Sequence, residues 1–515
     1  ATNTQEEIDL PEKWVSNISY LSTYITEQYP ELSQTWIGLR AGATFALLAN
    51  SKTTQRVDLV LWETIDDGRK YVRELKATSR LSVLQQNLDD GSIESAGFLF
   101  RKSTVDSLSQ INLTTLQSPL NVNAILNISR ENALDSPLSA QLEAQSNCYE
   151  HILSPGYTSM MDLPHRTLIP KHEIDKIAHW VHTLHANPTH PSIQQSTLAD
   201  SVSSPPSENI QEVCCRFDND ALFGVLSLPT DRSTNSRLCI LLANAGSVHH
   251  VGPNNVYTEI ARALAAKGIA VFRFDQENLG DSRINSPEEE NHPYQSQASN
   301  NIASAIRYLS ATYSLNKFVV GGICSGAHAA FHFPIERPDI PIAGVVLINP
   351  LTFYWHPSLS LTPPANVRAQ RDGVHYARAF KSLERWKKLL SGKADIRYFL
   401  KFLFSKTKFT LRRLARHIAR LMFGERSQLS KDLKTICERT PIYFIFSDSD
   451  PGLEILNEQA ERTLNKLAAN KQASLSTLSR ADHTFSSHDS RQKLANVLSS
   501  TFIDEPPKKS AHNTH

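Results

Sequence analysis

The run Gly322-Ile323-Cys324-Ser325-Gly326 places a cysteine midway between two glycines. A thiol flanked in this way can stand at the tip of a very sharp strand-to-helix bend. The chain turns so tightly there that the residues two before and two after the nucleophile must lack bulk. Set on Ser325, the same frame puts Ile323 and Ala327 at the flanking positions, a poor fit. The apolar run 317–321 ahead of the bend reads as a strand, and a short helix follows from Gly326. A helix start favours the thiolate, the nucleophilic form of cysteine. The chemistry on offer is attack on an acyl carbon through a covalent intermediate. The plain alternative is a buried cysteine that serves as a small hydrophobe, and the partners must decide.

Two partners lie downstream. His483 sits in the loop SRADHTFSS, where a general base would belong, and an aspartate, Asp448 or Asp450, directly follows the apolar run 442–447. The histidine would take the thiol proton and later return it to the leaving group, while the aspartate would hold the imidazole in one tautomer. A developing oxyanion needs two backbone N–H groups. One is expected from Ser325, and the other from Ala245 or Gly246 in the loop after the run 238–243.

The elements that must position these groups alternate strand and helix. Residues 221–228, 238–243, 269–274, 317–321, 343–348 and 442–447 read as strands, and 255–267 and 298–313 as helices. LCILLA at 238–243 is apolar throughout, as a parallel strand buried on both faces requires. The order nucleophile, acid, histidine along this alternation points to an α/β-hydrolase fold, a doubly wound, mostly parallel sheet with a helical lid at 351–440. Phe274-Asp275 and Gly280-Asp281-Ser282 read as structural parts of a neighbouring loop.

At 515 residues the chain is long enough for two or three domains. The Pro- and Ser-rich stretch 187–209 reads as a linker between a module at 1–186 and the catalytic domain at 210–504, and 505–515 as a disordered tail. A formal net charge of +1 argues against nucleic-acid binding by bulk charge. No run is long and apolar enough for a membrane span, and no secretory leader is visible. Six cysteines without CxxC pairs suit a reducing compartment, so the expectation is a cytoplasmic protein with no metal site. No organic cofactor is implied.

The motifs NAGSVHHVGPNN, FRFD with LGDS, GGICSGAHAAFH, GVVLINPLTFYW, SDSDPGLEIL and ADHTF together resemble the exosortase-system-associated α/β-hydrolases of the serine-aminopeptidase-like group. The resemblance covers about 210–500. It implies a Cys-His-Asp triad of Cys324, His483 and Asp450, since the group's S-x-x-D-P-G pattern places the acid on Asp450 and leaves Asp448 as the alternative. It also implies a setting in bacterial exopolysaccharide or secondary-metabolite biosynthesis. His250 departs from the group, which has an arginine before V-G-P. WIGLRAGATFALLA and VDLVLWETIDDGRKYVREL, near the front of the chain, resemble a second member of the group, with Arg40 at the nucleophile position. Arginine stays protonated and cannot attack an acyl group, so this module is expected to be a degenerate one. It corresponds to only the second half of such a fold, and a partner chain or a further N-terminal portion would complete its sheet.

Inside the expected lid, Arg397 to Arg426 holds nine Lys or Arg residues and one acid, Glu425. Apolar residues recur there at helical spacing. Three uses compete: a lid with a solvated cationic face, docking of an acyl carrier protein or coenzyme A phosphate, and peripheral contact with an anionic membrane. A thiol nucleophile forms a thioester that is isoenergetic with a thioester donor. The leading expectation is therefore an acyltransferase or thioesterase acting on carrier-bound or coenzyme A thioesters. Its rivals are an ester or amide hydrolase and a non-catalytic scaffold.

Overall fold

The computed structural model describes residues 10–81, 90–116, 118–130, 136–185, 203–207, 209–231, 237–356, 427–448 and 450–504. Most of the expected linker, the basic stretch 397–426 with the rest of the expected lid from 357 to 426, and the expected tail at 505–515 lie outside the described residues.

The first module runs α1 (Leu10–Gln28), β1 (Thr35–Leu39), α2 (Ala41–Asn50), β2 (Val57–Trp62), α3 (Gly68–Leu81), a hairpin of β3 (Ile93–Ser95) and β4 (Phe98–Phe100), α4 (Lys102–Gln110), β5 (Val122–Ser129), α5 (Pro137–Gln145), β6 (Tyr149–Leu153), α6 (Tyr157–Met160) and α7 (Lys171–Leu184). Its four strands pair in parallel in the order β1-β2-β5-β6. Val60, Trp62, Leu126 and Ile128 pack against Ile177 and Trp180 of α7 on one face, while Leu59, Leu61 and Ile125 meet Ala43 and Leu47 of α2 on the other.

The larger domain begins with β7 (Ser203–Ser207), β8 (Ile210–Phe217) and β9 (Leu222–Pro229). It continues through β10 (Leu238–Ala243), α8 (Val256–Ala265), β11 (Ala270–Asp275), α9 (Ala298–Tyr313), β12 (Lys317–Ile323), α10 (Ser325–Glu336) and β13 (Gly344–Ile348). It ends with α11 (Gln428–Cys437), β14 (Ile442–Ser447), α12 (Gly452–Ala469), β15 (Ala473–Leu478) and α13 (His488–Ser499). Nine strands form one sheet in the order β15-β14-β13-β12-β10-β11-β9-β8-β7. The pairs from β11 through β10 to β15 are parallel, and β9, β8 and β7 attach as antiparallel strands. Apolar side chains of α8 and α13, such as Ile260, Leu264 and Leu494, fill one face. Those of α9 to α12, such as Ile302, Phe331, Leu433 and Leu464, fill the other. Burying a side chain the size of Phe331 contributes about 1.5–3 kcal/mol.

Two boundaries differ from the reading of the sequence. The end of the expected linker is strand β7, because its backbone pairs with β8. The end of the expected lid is α11, whose Leu429, Leu433 and Ile436 belong to the core. Its amphipathic spacing and its cap, Ser427 accepting from the Ser430 N–H, explain why it forms there.

The first module is comparable in strand order to one half of the second. The order β1-β2-β5-β6 matches β12-β13-β14-β15, and Arg40 (φ 51, ψ −119) has nearly the backbone of Cys324 (φ 58, ψ −112). Beside β12 lies β10, and a Cβ on Gly326 would meet the Ala243 carbonyl oxygen of that strand at 2.4 Å. Among the described residues nothing pairs with the outer edge of β1. Gly42, at the place of Gly326, has open space, and Ile37 on that strand is 60 % exposed. Substitution at these two glycines is thus expected to diverge. Gly326→Ala should destabilise its domain by about 1–3 kcal/mol through overpacking, whereas Gly42→Ala, on a helix with room, should be neutral or stabilising by up to about 1 kcal/mol. Urea unfolding of the two variants checks both.

Candidate active site

Cys324 caps the start of α10 in a backbone conformation that a non-glycine residue adopts only at a cost, about 1–3 kcal/mol. The surrounding backbone over-determines it. Its N–H donates to the Ile348 carbonyl at 3.0 Å, and its carbonyl accepts from the His328 N–H at 3.2 Å. Beneath it the buried Tyr257 hydroxyl donates to the Ala243 carbonyl at 2.9 Å and accepts the Ile323 N–H at 2.8 Å. One phenol thereby ties the ends of β10 and β12 together. Gly322 and Gly326 are needed because a Cβ on either would run into backbone within 3 Å.

The expected partners converge on the elbow. His483 lies close enough to Cys324 for the thiol to act on the titration of the imidazole. Its Nδ1 is 2.5 Å from Asp450 Oδ2. The other oxygen of Asp450 accepts the Gly452 N–H at 2.8 Å, at the start of α12, where a helix dipole favours negative charge. Asp448 turns away and accepts the Arg480 N–H instead, so the alternative acid is not at the histidine. Burial alone would lower the His483 pKa. The hydrogen bonds and charges of Asp450 and Cys324 outweigh that and hold it well above the ordinary histidine range.

Of the two amides considered for an oxyanion, that of Gly246 is seen aimed at the elbow, donating to Ser325 Oγ at 2.9 Å. Ala245 is buried in the core beside it. The loop that carries both is held from β11. Asp275, fully buried, accepts from Asn244 Nδ2 at 2.7 Å, from His250 Nδ1 at 2.8 Å and from the Asp281 N–H at 3.0 Å. His250 is thus the anchor of this loop. His249, His250 and Asp281 bring ligand atoms within 4.8 Å of one another, the one His/Asp group of this kind among the described residues, but His250 Nδ1 is already committed to Asp275.

Other residues at the site carry no sequence signal. Tyr294 lies near Cys324, and burial together with the thiol raises its pKa. Its ring stacks on Trp355 at 4.2 Å and meets His328 edge-on at 5.2 Å. Burial pushes His328 down to about 3, so it is neutral and accepts the Trp355 N–H. Asn349, also buried and with φ 46, donates to the His483 carbonyl at 2.9 Å and accepts the Ser447 N–H at 2.8 Å. It ties β13, β14 and the histidine loop together. Tyr294 and Asn349 occupy irregular loops, where no periodicity marks a residue for notice.

At the elbow of the first module, Arg40 donates to the Tyr157 hydroxyl at 2.8 Å and pairs with Glu74. Arg130 lies over the Tyr157 ring at 4.9 Å and pairs with Glu63 at 2.7 Å. Each cation has its own carboxylate, so the cluster is a closed ion-pair network and Arg40 reads as structural.

The histidine's shifted titration has a measurable consequence. The stabilisation from the Asp450 contact is complete below the ordinary histidine pKa of about 6.5 and is lost as pH rises through the raised value. The stability difference between wild type and Asp450→Asn should therefore shrink as pH rises through that window. Asp448→Asn should show no such trend in the same unfolding series.

Residues 240–489 match the model of the serine aminopeptidase S33 family. No curated protein matches the chain in sequence. Among solved structures, dienelactone hydrolase from Anabaena variabilis is similar at 15 % identity and a TM-score of 0.34, covering 57 % of this chain and 98 % of its own. Est1E from Butyrivibrio proteoclasticus is similar at 12 % identity and a TM-score of 0.32, covering 60 % of this chain and 100 % of its own. XC6422 from Xanthomonas campestris, an α/β serine hydrolase without a lid, is similar at 13 % identity and a TM-score of 0.31, covering 63 % of this chain and 100 % of its own. By its strand order and by the family match, the larger domain has an α/β-hydrolase fold.

Proposed function

We propose that the larger domain cleaves ester or amide bonds by covalent catalysis through Cys324. The observation that carries this reading is the convergence of Cys324, His483 and Asp450 at the ends of β12, β15 and β14. His483 takes the thiol proton as the sulfur bonds to the acyl carbon, and the carbonyl electron pair moves onto oxygen. The N–H groups of Ser325 and of Gly246 or Ala245 receive that oxyanion. Collapse of the adduct breaks the bond to the leaving alcohol or amine, which departs with the proton from His483. Water, deprotonated by the same histidine, then cleaves the thioester and regenerates the thiol. Tyr294, near Cys324, packs with the Trp355 and His328 rings into an aromatic cluster, which suits an acyl group with flat or apolar character.

A second reading rests on the sulfur itself. A thioester intermediate exchanges with thioester donors at little cost, so the acyl group could pass to an alcohol or amine in place of water. Docking of an acyl carrier on the basic stretch would belong to this reading. The serine aminopeptidase match favours hydrolysis.

Incubation with activated short-chain esters and with acyl coenzyme A thioesters, followed by intact-protein mass spectrometry, tests both. An acyl adduct is expected on wild type and not on Cys324→Ala, whose turnover should fall by at least about a thousandfold. Release of free acid without an added acceptor supports hydrolysis, and acceptor-dependent release supports transfer. Undiminished turnover by Cys324→Ala would sink both, and absence of any turnover or adduct with wild type across the panel would leave a scaffold role.

A further inference from the structure

Arg491 is one of the largest side chains wholly withdrawn from water. It lies in the first turn of α13, just beyond the loop that carries His483. Its donors point three ways. Nε donates to Glu259 of α8 at 2.8 Å. One terminal nitrogen donates to the carbonyls of Phe485 at 3.3 Å and Ser486 at 2.8 Å, inside the histidine loop. The other reaches the first module, where it donates to Glu94 at 2.9 Å and to the Gly97 carbonyl at 3.3 Å. A buried guanidinium is tolerable only when its charge and its donors are met, and the first module supplies part of both.

The same hairpin makes a second contact. Gly97 has φ +85, and a Cβ there would fall 2.1 Å from the Asn254 carbonyl oxygen. Its backbone therefore lies directly on Asn254. The Asn254 amide in turn donates to the Thr484 carbonyl at 3.2 Å and to the Thr484 hydroxyl at 3.1 Å. Thr484 is the residue next to His483. The hairpin is itself rooted in the first module, with Ile93 buried in the cluster formed by Val72, Leu75 and Val105.

We infer that the first module is a positioning element for the catalytic centre: its β3–β4 hairpin, through Glu94 and Gly97, holds Arg491 and Asn254, and these hold the loop that presents His483 to Cys324. This rests on reading Cys324 and His483 as the reacting pair. Glu94 and Arg491 touch no substrate and act only through the loop.

The test uses full-length Glu94→Ala, Glu94→Gln, Gly97→Val and His483→Ala. The readouts are hydrogen–deuterium exchange of residues 482–487, the rate of Cys324 alkylation by iodoacetamide, and kcat and KM on an activated ester. Glu94→Ala and Gly97→Val are expected to speed exchange in 482–487 and to lower kcat by about tenfold or more, with KM nearly unchanged. Their alkylation rates should shift towards that of His483→Ala. Glu94→Gln keeps an oxygen for Arg491 and should recover most of the loss. Wild-type alkylation and kcat in folded Glu94→Ala and Gly97→Val, alongside an altered His483→Ala, would overturn the positioning role alone. If His483→Ala itself alkylates as wild type does, the reading of the reacting pair falls, and this inference with it.

Discussion

The structure turns on a close approach of backbone to backbone. The Ala243 carbonyl at the end of β10 sits where any side chain on Gly322 or Gly326 would have to go. Only with both positions bare can β12 turn into α10 over so short a distance, and only that turn carries Cys324 above the sheet with a positive φ. Tyr257 holds the two strand ends at the spacing the turn needs. The strain at Cys324 is borne by the sheet and by the helix that follows, so its backbone has one position and its partners can be placed relative to it.

Those partners come from the same edge of the sheet because parallel strands all end on one side. The loop 244–250 follows β10, Asp450 follows β14 and His483 follows β15. Each loop is then fixed by a buried polar group with no part in the chemistry: Asp275 under residues 244–250, Asn349 under the His483 carbonyl, and the start of α12 against Asp450. Buried polar groups of this kind are costly when half satisfied and rigid when fully satisfied. Here most of their hydrogen-bonding capacity is used, which suits a site whose groups must hold their places.

The two modules show how little of this chemistry belongs to the backbone. Arg40 and Cys324 share nearly the same φ and ψ at the same strand-to-helix turn. In one the side chain is a thiol facing an imidazole. In the other it is a guanidinium enclosed by Glu74 and Tyr157. The first module keeps the geometry of an elbow, while its side chains make an ion-pair cluster. What it contributes to the second is a hairpin seated against Arg491.

The sequence by itself determined what short-range constraints dictate. Glycine spacing around Cys324 announced the turn, apolar runs such as 238–243 announced buried parallel strands, and the order of Cys324, an aspartate and His483 announced the fold class. Resemblance of the front segment to the same group put Arg40 in the matching glycine frame. Strands β8 and β15 escaped because the first mixes charged and apolar residues and the second is a half-exposed sheet edge, so neither shows a clean period. The choice of Asp450 over Asp448 could only be suggested by resemblance, because two aspartates two residues apart differ in direction and not in composition. Tertiary structure alone brought Asn349 to His483 and Arg491 to Glu94, pairs 134 and 397 residues apart along the chain, and Tyr294 to the neighbourhood of Cys324. Contacts at that separation leave no local pattern. They exist only once the strands, registered side by side, have carried distant loops to one edge.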